Sequence, residues 1–545
     1  MTFYRINEIK LKIGEPQDKI PEHILKRLGR LGRGLKVTDY RIVKQSIDAR
    51  DKGEILIVYS VDFAVERKRG EIERAAAKVG GTENLTPSEV KLDLPVVVPA
   101  RYELPVSGDE KLSGRPVVCG FGPCGMFAGL ILASAGYRPI ILERGSSMEK
   151  RTEKVSAFWE KGELDTECNV QFGEGGAGTF SDGKLTTNIK DPRIAKVLEE
   201  FVLAGANEDI KYRHKPHIGT DVLRGVVVNI RKKIESLGGE VIFDARLDDI
   251  RFEGQGSARK LKSVSYVKKG EPEETEITTD CLILAIGHSA RDTFRMLFEK
   301  GIDMQQKPFS IGLRIRHPQE LINEAQYGKN WREMGLPPAE YKLSYHSKES
   351  GRGVYTFCMC PGGEVIAASS AKGCTVTNGM SYHARDGEFA NSALLVDVRV
   401  SDFGSDHPLA GVEFQEKYEH IAYKNGANYK PPTCTWGEFS SGSEIGAKVR
   451  ECLPTFATES MMEAMPFMAR RLRGFDDRDA MLFAVESRSS SPVRIVRNEE
   501  MIASAVGIYP GGEGAGYAGG IVSAAVDGIK LAEAVISRYA KFVEE

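Results

Sequence analysis

No apolar stretch in this chain approaches the roughly 20 residues that a bilayer-spanning helix needs. The first residues, MTFYRINEIKLKI, alternate polar and apolar side chains and do not form the apolar core of a signal peptide. The expected location is therefore the cytoplasm, with no membrane partner. Nine cysteines, an odd number, are spread over 545 residues with no CxxC pair and no zinc-like four-ligand spacing. That pattern fits reduced thiols and predicts neither structural disulfides nor a structural metal. An excess of one charge is missing too: 75 Lys and Arg face 77 Asp and Glu, a net charge of −2, which points away from nucleic acid as a bulk partner. Repeats and low-complexity tracts are absent.

The length exceeds that of one ordinary domain. Residues 1–100 read as strands over 3–13, 37–46, 54–65 and 96–98 with helices over 21–31 and 71–79. That βαββαβ order predicts a ferredoxin-like α+β domain. A Pro- and Gly-punctuated linker covers 101–115. Residues 116–305 and 475–545 then read as one α/β nucleotide-binding domain. The stretch 306–474, which alternates strand-like runs with loops, reads as an inserted mixed α+β substrate or cap domain.

The sharpest local pattern is Gly120-Phe121-Gly122-Pro123-Cys124-Gly125, between the apolar strand ending at Cys119 and a small-residue helix. In GxGxxG the first glycine permits the tight turn, the second lets backbone approach a pyrophosphate, and the third lets helix pack on strand. The helix N-terminus adds unpaired N–H groups for the phosphates. A second strand ends at Glu143, 18 residues past Gly125, where an acid accepts hydrogen bonds from a ribose and disfavours a 2′-phosphate.

Glu143-Arg144-Gly145 after this fingerprint resembles the opening of FAD domains in the glutathione-reductase-like superfamily. Three later segments are similar to the same group: the loop Gly175-Gly176-Ala177-Gly178-Thr179, the strand end Ala285-Ile286-Gly287, and Gly512-Glu513-Gly514 leading to Gly520-Ile521 and a long helix. Ile286 stands where that group has threonine. Across its whole length the chain resembles the uncharacterised FAD-dependent, or NAD(FAD)-utilising, dehydrogenases. The resemblance implies a Rossmann-type domain binding FAD, with the glycine loops at the pyrophosphate and flavin. It implies backbone of Arg246 and Leu247 at the adenine, and a C-terminal helix N-terminus facing the pyrimidine end of the ring.

A flavin supplies redox chemistry itself, so no dedicated acid or base is obligatory. Polar residues near the glycine loops are the candidates for catalysis: Lys184, with Ser181 and Asp182, His217, with Lys215, and Arg488, with Arg494, which can hold an anionic substrate group. A Cys358-x-Cys360 pair in a regular strand would point both side chains to one face, a poor geometry for a disulfide. The expected function is FAD-dependent oxidoreduction of a small molecule, with NADH or NADPH docking transiently or the substrate itself reducing the flavin. The alternative is a partner- or RNA-binding protein with a structural or redox-sensing FAD, given the Lys- and Arg-rich N-terminal segment. Substrate, electron acceptor and oligomeric state are not encoded in these motifs.

Overall fold

The computed structural model describes residues 2–67, 92, 94–97, 102–256, 259–271 and 273–542. The chain forms two compact units: Met1–Tyr102 with Glu208–Pro216 and Gln326–Pro337, and the remainder.

In the first unit, β1 (Tyr4–Lys12), α1 (Ile20–Leu28), β2 (Leu35–Asp48) and β3 (Leu56–Arg67) follow in order. The antiparallel sheet runs β1-β3-β2, and Val96 bridges Tyr4 on the outer edge of β1. The helix expected at 71–79 lies outside the described residues. Ile20, Ile24 and Leu28, each four residues apart, form the buried stripe of α1. They close on Ile6, Leu11, Tyr59, Val61 and Phe63 from the sheet. Residues from far along the sequence extend this sheet: the Gln45 N–H donates to the Tyr212 carbonyl at 2.7 Å and the His214 N–H to that of Gln45 at 2.8 Å. Their local sequence, KYRHKP, has no apolar alternation to announce a strand.

The second unit begins with β4 (Val117–Cys119), α2 (Pro123–Ser134), β5 (Ile140–Leu142), α3 (Met148–Lys161), α4 (Arg193–Leu203), α5 (Thr220–Ser236) and β6 (Glu240–Ile242). An antiparallel ribbon follows, β7 (Ala245–Glu253), β8 (Lys260–Lys268) and β9 (Glu274–Thr278), before β10 (Leu282–Leu284) and α6 (Arg291–Glu299). The last parallel strand, β11 (Ile508–Pro510), precedes α7 (Ile521–Arg538), and the parallel sheet runs β11-β10-β4-β5-β6. Helix α2 is apolar around its whole circumference because it is covered on both sides, by the sheet and by α7. Side chains are excluded at two of these contacts: a Cβ on Gly129 would lie 2.4 Å from Ile141 Cδ1, and one on Gly528 2.1 Å from the Cys124 carbonyl oxygen.

Between these halves a six-stranded antiparallel sheet is built around two long strands, Phe309–Pro318 and Phe389–Val398, which pair over ten residues each. The strand Met481–Glu486 pairs with Phe309–Pro318 on its other side. That corrects the expected boundary at 474: Met481–Glu486 belongs to the inserted sheet, because its apolar residues complete that core and not the parallel one.

Phe63 is fully buried in the core of the first unit. Phe63→Ala is expected to lower stability by about 3–5 kcal/mol, read as a fall in the urea midpoint.

Candidate functional site

The GxGxxG turn joins β4 to α2, with Pro123 at the first helical position, where its missing N–H costs nothing. Gly120 has φ +102°, and a Cβ there would lie 2.3 Å from the Ala285 carbonyl oxygen. Glycine is required on both counts. A Cβ on Gly125 would lie 1.9 Å from the Gly120 carbonyl oxygen. Gly122 differs: the nearest atom to its Cβ position is Gly176 Cα at 3.8 Å, so this side of the turn is open to a ligand. The first turn of α2 has no intrahelical acceptor for its N–H groups.

Four segments far apart in sequence converge here. Gly175 donates its N–H to the Phe121 carbonyl at 3.0 Å, and a Cβ on Gly176 would lie 2.8 Å from Gly122 Cα. The turn Ala177–Phe180 is anchored by Thr220, whose hydroxyl donates to the Thr179 carbonyl at 2.7 Å. Gly178 meets Ile521, the first residue of α7, whose N-cap is Gly520. Gly512 packs on Cys124, and Gly514 on Gly287. The Gly512 N–H donates to Asp527 at 2.7 Å, and Asp527 in turn pairs with Arg497 at 2.8 Å. Two helix N-termini and two glycine loops therefore border one cradle.

Glu143 is buried, and its carboxylate accepts three backbone N–H groups: Phe121 at 2.8 Å, Gly145 at 2.9 Å and Gly173 at 2.8 Å. A carboxylate offers about four acceptor sites, so one remains for a ribose hydroxyl. Glu143, expected from its spacing to meet a ribose, is a brace for both loops.

Its counterpart, which the motif reading missed, is Arg151. This fully buried guanidinium donates to five carbonyls, those of Asn169, Val170, Gly173, Glu174 and Gly176, at 2.6–3.3 Å. A sequence signal existed: Met148, Arg151, Val155 and Phe158 share one stripe of α3, so a charge sits on the buried face.

Two expected contacts are placed differently. Arg246 and Leu247 do not end the parallel strand; they open β7, paired with Val267 and Tyr266, and Leu247 is in the core. The parallel strand stops at Ile242 because Asp244, at φ +55°, turns the chain into the ribbon. Arg144 pairs with Glu167 and Asp292, both at 2.9 Å, and lies over the Phe172 ring. Arg144, Arg246, Asp244 and Val267 line a cleft of about 390 Å³ beside the Glu143 loop.

The candidates for chemistry separate. Lys184 and His217 bridge each other's backbones, the Lys184 ammonium donates to the Met359 carbonyl, and the His217 ring contacts the His383 carbonyl at 3.0 Å. Burial holds His217 below its ordinary pKa. Arg488, expected to hold a substrate anion, turns its guanidinium inward onto Glu419, at 2.9–3.0 Å, and onto Ser289 and Ser370. Arg291 grips the same carboxylate at 2.8–2.9 Å, and these two cations hold Glu419 far below the usual carboxylate range. Arg494 donates to the Gly516 carbonyl, bracing the C-terminal loop. On that loop, burial pushes Glu513 up to about 7 against the pull of Lys307.

Gly122→Val is expected to fold and to lose FAD, because the added methyls fill the open side of the turn; flavin absorbance after gel filtration, together with the melting temperature, separates the two effects. Glu419→Gln is expected to cost about 3–5 kcal/mol by leaving two buried guanidinium groups short of charge. Its depressed carboxyl contributes stability above the ordinary value of 4.5 that is lost as pH falls. Urea midpoints taken from neutral to acid pH should therefore decline less steeply in the variant than in the parent.

Residues 308–489 match a family model described as FAD-dependent protein, C-terminal domain-like, and residues 4–64 match a domain of unknown function, DUF8436. A Clostridium beijerinckii protein named "Uncharacterized protein" is 45% identical over 552 residues, covering 98% of this chain and 99% of its own. Among solved structures, the flavin-dependent brominase Bmp2 matches with TM-score 0.36 at 12% identity, over 78% of each chain. A flavoprotein/dehydrogenase from Cytophaga hutchinsonii matches with TM-score 0.34 at 13% identity, over 77% of this chain and 78% of its own. Likeness at that level says nothing of the reaction. The cradle, with its open Gly122 face, paired helix N-termini and ribose acid, fits FAD. The chain belongs to the family of the Clostridium beijerinckii protein, its residues 308–489 are similar to the C-terminal domain of FAD-dependent proteins, and FAD is its cofactor.

Proposed function

We propose that this protein is an oxidoreductase of the glutathione-reductase-like FAD superfamily, acting on a small molecule in the cytoplasm. The observation that carries the reading is the convergence of Gly120–Gly125, Gly173–Thr179, Ala285–Gly287 and Gly512–Ile521 on one cradle. Bound there, FAD supplies two-electron redox chemistry. The α2 N-terminus and Gly122 hold the pyrophosphate, and Glu143 orients the ribose. The Gly512–Gly520 loop and the α7 N-terminus border the ring, where their N–H groups favour negative charge. On this reading residues 116–305 and those after the inserted sheet form the cofactor domain, and the inserted sheet supplies the substrate wall. The N-terminal unit is read as ferredoxin-like, its sheet edge ordered Val96, β1, β3, β2. Among the described residues no helix is long and apolar enough to cross a membrane.

One fingerprint serves one dinucleotide, so a nicotinamide donor would dock only transiently. Under anaerobic stopped flow, adding NADH or NADPH to the FAD-loaded protein is expected to bleach the flavin, and air to restore it. A flavin that stays oxidised with both nicotinamides and with a fractionated small-molecule extract would overturn the oxidoreductase reading.

A further inference from the structure

The Cys358-x-Cys360 pair lies on the inserted sheet, and its geometry departs from the regular strand expected of it. Strand Gly353–Cys360 pairs Phe357 with Ala393 but Cys360 with Asn391, so one extra residue is accommodated between them. Cys358 takes φ +44°, a left-handed conformation rare for a residue with a side chain. The bulge breaks the parallel alignment of the two side chains. It turns the Cys360 thiol back toward Cys358, where it donates to the Cys358 carbonyl at 3.3 Å.

Two cations attend the bulge from other elements. Arg314, fully buried on the neighbouring strand Phe309–Pro318, donates through Nη2 to the Cys358 carbonyl at 2.7 Å. Its Nε and Nη1 have no hydrogen-bond partner among the described residues. Lys184 arrives from the segment after the glycine loop and donates to the Met359 carbonyl. Two acids share these cations: Asp182, paired with Arg385, also lies 4.0 Å from Lys184, and Glu486 lies 3.4 Å from Arg314, its carboxyl pushed up to about 7 by burial. Cys360, Arg314 and Lys184 together draw the Cys358 thiol down to about 6. Burial pushes Cys119, Cys374, Cys434 and Cys452 the other way, up to about 12. Cys358 is also only partly buried, whereas those four are buried.

We propose that Cys358 and Cys360 form a peroxide-sensitive dithiol, with Cys358 as the attacking sulfur and Cys360 as its resolving partner. The Cys358 thiolate attacks one oxygen of hydrogen peroxide, the O–O bond breaks, hydroxide leaves and Cys358 becomes the sulfenic acid. The Cys360 sulfur then displaces that hydroxyl, the S–S bond forms, and water is released with the Cys360 proton. With the proton first lost by Cys358 neutralising the hydroxide, two thiols and one peroxide yield one disulfide and two waters. The site is independent of the oxidoreductase reading, since it needs no electron from the flavin.

The experiment treats the FAD-loaded protein with hydrogen peroxide, quenches with N-ethylmaleimide and dimedone, and maps the peptides by mass. The expected result is a peptide bearing Cys358 and Cys360 that has lost two hydrogens, while Cys119, Cys374 and Cys434 remain thiols. In Cys360→Ser the expected product is a dimedone adduct on Cys358. The alkylation rate of Cys358 in the unmodified protein should rise with pH around a midpoint of about 6. Lys184→Met should move that midpoint upward and slow alkylation several-fold at pH values below it. Oxidation that spares Cys358, or a midpoint at the ordinary thiol value of about 8.5, would overturn the proposal.

Discussion

The cradle depends on two opposite charges that hold backbone. The Glu143 carboxylate collects N–H groups from the GxGxxG turn, from its own loop and from Gly173, and the Arg151 guanidinium collects five carbonyls, two from Asn169 and Val170 and three from the loop that Gly173 begins. A loop with four glycines in residues 173–178 has little side-chain packing and a large conformational entropy to lose. Charge-assisted hydrogen bonds are the strong kind, and here they do what a hydrophobic core does elsewhere. Burial pushes Arg151 down only to about 10, so it remains a cation at neutral pH. With the loop held, Gly176 can lie against Gly122 and Gly178 against Ile521, and the C-terminal helix acquires its place.

A second buried charge organises the inserted region. Glu419 accepts from Arg291, which opens α6 of the cofactor half, and from Arg488, just beyond the inserted sheet. Ser487 and Gln415 complete the network. The arginines of the 486–494 run therefore serve architecture: Arg488 ties sheet to helix, and Arg494 braces Gly516. Their spacing around three serines suggests anion binding, and the anion that Arg488 meets in the structure is Glu419, some seventy residues earlier. Cys358 shows the same dependence, because its environment comes from Arg314 and Lys184 on two other segments.

Much of the fold was legible where chemistry is local. The GxGxxG turn, Glu143 at its spacing, the strand ending at Gly287 and the long terminal helix follow from steric and capping rules that act over a few residues. The first unit's three strands and first helix were legible from period. Less legible were the extension of its sheet by residues 208–216, whose pairing needs only backbone, and the assignment of Met481–Glu486, whose apolar pattern suits either sheet. The strand break before Arg246 and Leu247 was hidden for a related reason: a strand followed by a tight turn and another strand looks continuous in sequence, and Asp244 at positive φ is where it breaks.

By itself, then, the sequence determined the glycine turns, the helix ends and the acid between them, because a missing Cβ and a chain-spaced acid are properties of residues in order. The tertiary structure alone decided which charges brace which segments and which cations surround Cys358. A buried charge takes its role from partners that surround it in space, and those of Arg151, Arg488 and Cys358 lie on segments that sequence spacing does not connect.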